Sequence, residues 1–254
     1  MKNMVKTNRM PVLILGISGI CLCLRRLLYA VAVDENNLLP VLHPLEILLW
    51  LVTFLGTALV IMLVWRKKGS NRYEDNFSAS VPAAAGTVLA AAAIGLTAVL
   101  KDAGMPGFLG LMWRGLGILS AGAMLFAAWC RYQGQRPPFL LHGVVCVFFA
   151  VHMVSHYQAW SGNPQLQDYF YDLGGIMLLM LFAYYQTAFD TDSGNRRMQL
   201  AAGLLAALWS FTAVSRTEFP LLYAACGIWA LTDLCTLTPV SRRNMGAAEQ
   251  QREE

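Results

Sequence analysis

Two histidines, His152 and His156, stand four residues apart in Val151-His152-Met153-Val154-Ser155-His156, so on a helix they share one face. That spacing can chelate a metal ion, and Asp168 or Asp172 across the following connection could add carboxylate oxygens. A metal centre usually takes three or four ligands in a defined geometry. Spacing supplies only the two imidazoles, which makes metal binding the lesser of their two roles. The other is recognition of an anion, because a protonated imidazole donates from both ring nitrogens. Arg216 brings a guanidinium group to the level of His156, where Asp172 could orient the two. Arg114 lies on the same side at the level of Asp172, which predicts a structural pair. The candidate ligand-binding set is therefore Arg114, His152, His156, Asp172 and Arg216. Its excess of arginine over carboxylate favours a small polar or anionic ligand.

Other charged residues interrupt apolar stretches, where their cost makes each a candidate for a role. Arg25 and Arg26 fall late in the first stretch and Glu46 opens the second, which predicts a structural ion pair near the outer headgroups. Asp233 lies deep in the last stretch, where it could relay protons, although Thr232 and Thr236 nearby can simply hydrogen-bond it. Several other chemistries find no support. The four residues Gly16-Ile-Ser-Gly19 match the Gly-x-Ser-Gly pattern of rhomboid proteases, but without the loop-to-helix setting or a histidine partner. No lysine follows Lys101, which leaves nothing for a retinal Schiff base in a late helix. His43 in a loop and His142 at the opposite membrane face do not suit bis-histidine haem ligation. The six cysteines show no paired-ligand spacing and read as small packing residues. No cofactor is expected.

The elements that must position these groups are apolar helices. Eight stretches run Met10–Val33, Leu45–Trp65, Ser78–Leu100, Gly107–Cys130, Phe139–His156, Tyr169–Phe189, Met198–Ser215 and Phe219–Leu237. Each is close to the ~20 residues that cross a ~30 Å hydrocarbon core. A composition 57% hydrophobic and 13% charged departs from soluble domains, where charged residues make up about 25%. The mean hydropathy of +0.49 agrees. Although the net charge is +4, its distribution points to topology rather than nucleic acid.

Fourteen of the nineteen basic residues flank alternate connections: Lys2, Lys6 and Arg9; Arg66, Lys67, Lys68 and Arg72; Arg131 and Arg136; Arg196 and Arg197; Arg242, Arg243 and Arg252. Lys101 and Arg216 alone mark the other side. Basic loops stay cytoplasmic, so the expectation is an all-α bundle of eight transmembrane helices with both termini inside, in the cell membrane. The first stretch is not expected to be a cleaved signal, because Arg25 and Arg26 interrupt it. Residues 1–240 form one transmembrane domain and 241–254 a short cytoplasmic tail.

An internal echo suggests helical-hairpin repeats over 107–156 and 169–216. Met124-Leu-Phe-Ala-Ala-Trp129 matches Met180-Leu-Phe-Ala-Tyr-Tyr185, and Val154-Ser-His156 matches Val214-Ser-Arg216. Such copies, each a pair of helices, would run in the same sense.

No connection is long enough for a soluble catalytic module. Function must then reside in the bundle or at its mouths. The leading expectation is a multi-pass protein that binds, and transports, a small polar or anionic solute from an outward-facing site. A sensor or an accessory subunit packing on a membrane partner is the second. An intramembrane metal-dependent enzyme using His152 and His156 is the third. Besides the lipid bilayer, the partners implied are such a solute or such a subunit, and not nucleic acid.

Overall fold

Proline placement and apolar runs dictate where the helices begin. Pro11, Pro44, Pro82 and Pro220 each stand in a first helical turn, where their missing N–H costs nothing. The computed structural model describes residues 9–32, 43–65, 67, 69–100, 108–160 and 169–238. Within these lie eight long helices: α1 (Arg9–Ala32), α2 (Pro44–Trp65), α3 (Val81–Leu100), α4 (Phe108–Gln133), α5 (Phe139–Trp160), α6 (Phe170–Asp190), α7 (Arg196–Ala213) and α8 (Pro220–Cys235). A single helical turn, Tyr73–Asn76, interrupts the α2–α3 connection. No strand occurs among the described residues. The tail 241–254, Lys101 and Asp168 lie outside the described residues.

Six of the helices, α1 to α6, are long and apolar enough to cross a membrane. They make the chain a multi-pass membrane protein. α7 has 18 residues and α8 has 16, and neither meets the same measure of length and hydropathy. The packing accounts for α7. It is flanked by α1, α2, α6 and α8, and most of its side chains are buried, Arg196 and Gln199 among them. A helix sheathed by protein has no need of an all-round apolar surface. Asn195 starts it, its side-chain oxygen accepting from the backbone N–H of Arg197 at 3.1 Å and of Met198 at 3.3 Å.

Helices α3 to α8 form a closed circuit in which each packs on the next and α8 returns to α3. α1 and α2 lie outside it against α7. In lipid, apolar contact alone does not draw helices together, so close packing and polar contacts must. The α3–α8 seam shows how. A Cβ at Gly86 would sit 1.9 Å from the hydroxyl oxygen of Thr232, so only glycine permits this approach. Phe182 of α6 and Trp229 of α8 meet edge to face at 4.8 Å in the interior. The outer surface is an apolar shell, with Val12, Leu55, Met62, Leu111 and Ile118 exposed.

The hairpins α4–α5 and α6–α7 turn at the same end of the bundle, where Arg136 of the first turn meets Asp192 of the second. Burial differs between the two echoed strings: Trp129 is exposed and Tyr185 half-buried.

Candidate functional site

Polar groups gather at both ends of the bundle. The end holding the late part of α1, the start of α6 and the close of α7 carries the residues singled out from sequence. Arg25 is buried there. Its Nη1 donates to the carbonyls of Thr212 at 3.1 Å and Ala213 at 3.2 Å, which close α7. A cation suits these carbonyls, where the helix dipole is negative. The same nitrogen lies 3.6 Å from Asp172 Oδ1 in the first turn of α6, and the guanidinium rests over the Tyr171 ring at 5.0 Å. Arg25 thus ties α1 to α6 and α7.

This corrects the expected pairing with Glu46: the carboxylate beside Arg25 is Asp172, because α1 packs against α7 and brings Arg25 toward the α6–α7 seam. Glu46 is half-buried in the first turn of α2, and Arg26, one residue round the helix, is exposed. Trp113 takes the inward position on α4 and turns Arg114 to the exposed face.

His152 and His156 both point into the bundle, with ring centroids 4.2 Å apart. Trp113 Nε1 donates to His152 Nδ1 at 2.8 Å, which assigns the ring's proton to Nε2. That buried Nε2 has no hydrogen-bond partner among the described residues. Phe219, just ahead of α8, covers both rings, 5.4 Å from His152 and 4.8 Å from His156. Arg216 is exposed and lies over Tyr29 of α1 at 4.9 Å. The five candidates therefore divide. His152, His156 and Asp172 face inward, while Arg114 and Arg216 are at the surface. No group of three or more His, Cys, Asp and Glu side chains among the described residues could hold a metal ion.

The opposite end holds a second cluster, whose arginines the sequence reading assigned to topology. Arg131, in the last turns of α4, is buried and donates through Nη2 to Asp233 Oδ1 at 3.0 Å and to Thr236 Oγ1 at 3.4 Å. Gln186 of α6 donates to the other oxygen of Asp233. His142 Nδ1 lies 2.6 Å from Asp190 Oδ2. Arg136 donates through Nε to the Asp190 carbonyl at 2.6 Å and through Nη1 to Asp192 Oδ2 at 2.6 Å. Asp192 adopts a left-handed backbone, φ 55°, which aspartate tolerates in a turn.

The α2–α3 connection closes this end. Tyr73 N–H donates to Asp192 Oδ1 at 2.9 Å, and Phe77 lies beneath the Arg131 guanidinium at 4.2 Å. Burial beneath these groups pushes the Tyr73 phenol up to about 12, against the opposing pull of Arg131. Arg196 fastens the connection from α7, donating to Asn76 Oδ1 at 2.8 Å and to the Thr238 carbonyl at 2.6 Å. A cavity of about 20 Å³ remains behind it, lined in part by Tyr73, Thr87, Arg131, His142, Gln186 and Asp233.

A signal for this cluster was present in the chain. Arg131, His142, Asp190 and Asp233 are titratable residues near the same ends of α4, α5, α6 and α8. Comparison with protein-family models, curated proteins and solved structures finds no match to the chain.

Proposed function

We propose that the chain spans the membrane eight times with both termini cytoplasmic, and binds a small polar or anionic solute at the outer end of the α3–α8 circuit. The observation that carries this reading is His152. It is fully buried, its tautomer is set by Trp113, and its Nε2–H is left without an acceptor among the described residues. Buried donors in native structures are nearly always satisfied, so an orphan of this kind needs an explanation. A solute acceptor atom reaching Nε2 supplies one.

In this reading Phe219 moves aside to admit the solute, and His156 contributes beside His152. Asp172 is engaged by Arg25 and acts as scaffold. Arg114 and Arg216, exposed at the same end, attract anions toward the mouth. The fourteen-to-two distribution of basic residues supports the orientation. Hairpin repeats over 107–156 and 169–216 remain part of the proposal, and the shared turning end is compatible with them.

The test is equilibrium binding to the purified full chain, read as thermal stabilisation across a panel of small carboxylates, phosphate and neutral polyols. We expect one class to stabilise saturably, with His152→Phe weakening its binding at least tenfold and Arg114→Gln changing it less. Saturable binding unaltered in His152→Phe would move the site elsewhere.

A second reading, an accessory subunit, is favoured by α2. This helix touches only α1 and α7 among the larger contacts. It presents an apolar hollow at Ala58, Ile61, Met62 and Trp65. Co-purification of a defined membrane partner, lost on Met62→Trp, would favour it.

A further inference from the structure

The inner cavity carries an inference independent of the solute site. Arg131 has two donors, Nε and Nη1, that are buried without partners among the described residues, while Nη2 serves Asp233 and Thr236. A cavity of about 20 Å³ beside them exceeds the roughly 10–15 Å³ that one water requires. Its walls offer what such a water needs: donors from Arg131, the carboxylate of Asp233, the amide of Gln186 and the imidazole of His142.

Charge counting then identifies what the cluster lacks. The charged groups facing His142 are Asp190 from α6, Asp233 from α8 and Arg131 from α4. Arg136 donates to the Asp190 backbone carbonyl and acts on its carboxylate through space, but its charge is matched by Asp192, with which it is ion-paired. Arg196 is engaged by Asn76 and Thr238. The Tyr73 phenol is neutral at the cavity wall. Two carboxylates therefore face one guanidinium, and a neutral His142 leaves one net negative charge. One added proton makes the group neutral. Isolated net charge is costly in the interior of a membrane bundle, so the proton is the ligand that the charges call for.

We propose that His142 and Asp190 form a proton-binding site, reached from the cytoplasmic end through a single ordered water in the Arg131–Asp233 cavity. Asp190 Oδ2 accepts from Nδ1–H of His142, which leaves Nε2 as the base. An N–H bond forms at Nε2 as an O–H bond of the protonated water breaks, and the reverse transfer releases the proton. No electrons change hands. The bundle thereby gains a proton-linked element at the end opposite the solute site.

The experiment is a pH titration of the full chain in phospholipid nanodiscs, labelled with ¹⁵N-histidine and followed by NMR. His142→Gln identifies the His142 signals. The expected result is one protonation step at Nε2 between roughly pH 5 and pH 9, the range imidazoles explore in proteins. Asp233→Asn should weaken proton affinity about tenfold by removing one facing negative charge, and Asp190→Asn should weaken it further. Thr87→Leu, which fills the cavity wall, should slow exchange of the Nε2 proton at least tenfold. A single protonation state throughout that range would overturn the proposal. So would titration unchanged in Asp233→Asn, and exchange unchanged in Thr87→Leu would remove the water path. None of these readouts depends on a solute, so failure at the outer site would not mimic failure here.

Discussion

Arg25 and Arg26 show how far a residue's role depends on its neighbours. They are adjacent in the chain, yet Arg25 is buried among α1, α6 and α7 while Arg26 is exposed. Removing one partner from a buried pair strands the other, a loss of about 3–5 kcal/mol. Arg25→Met should therefore lower the melting temperature of the purified protein markedly. The double variant Arg25→Met/Asp172→Leu should recover most of that loss, because both buried charges are gone. Arg26→Gln should stay within about 0.5 kcal/mol of the parent, as surface changes usually do. Equal losses in Arg25→Met and Arg26→Gln would contradict the assigned burial. The sequence made both arginines conspicuous but not their partners. Helical periodicity assigns a residue to a face, and only the packing of α1 on α7 decides that Asp172 and not Glu46 lies across from it.

At the scale of elements, the apolar runs and the prolines made α1 to α6 legible, since length and hydropathy are what a bilayer selects. α7 was legible as a helix but not as the most enclosed one. Its modest hydropathy comes from residues such as Arg196, Gln199 and Ser210, which are buried against protein and not lipid. The inner cluster is hidden in the sequence for a related reason. A basic residue just after an apolar run looks the same whether it flanks the cytoplasm, as topology requires, or turns back into the bundle as Arg131 does. The seams between helices rest on close fits that hydropathy does not reveal. Gly86→Val should separate α3 from α8 at Thr232, costing about 1–3 kcal/mol as overpacking does. Gly16, where an added Cβ meets nothing within 4 Å, serves as the control. Gly16→Ala should leave thermal stability unchanged or slightly raised, and a loss there matching Gly86→Val would undo the packing argument.

At the scale of the whole molecule, an apolar bundle carries its buried polar clusters at its two ends. In the proposed reading the outer end binds a solute beside His152, and the inner end exchanges a proton at His142. Both assignments require that α7 and α8 cross the membrane as α1 to α6 do, although neither satisfies the simple criterion of length and hydropathy. Ser193 and Glu218 are exposed residues on either side of α7, so single cysteines placed there in a cysteine-free background report directly on that crossing. An impermeant maleimide should label Glu218→Cys in intact cells and leave Ser193→Cys unlabelled until the membrane is opened. Labelling of both sites from the same side would show that α7 does not cross, and would contradict the eight-span bundle on which both sites depend.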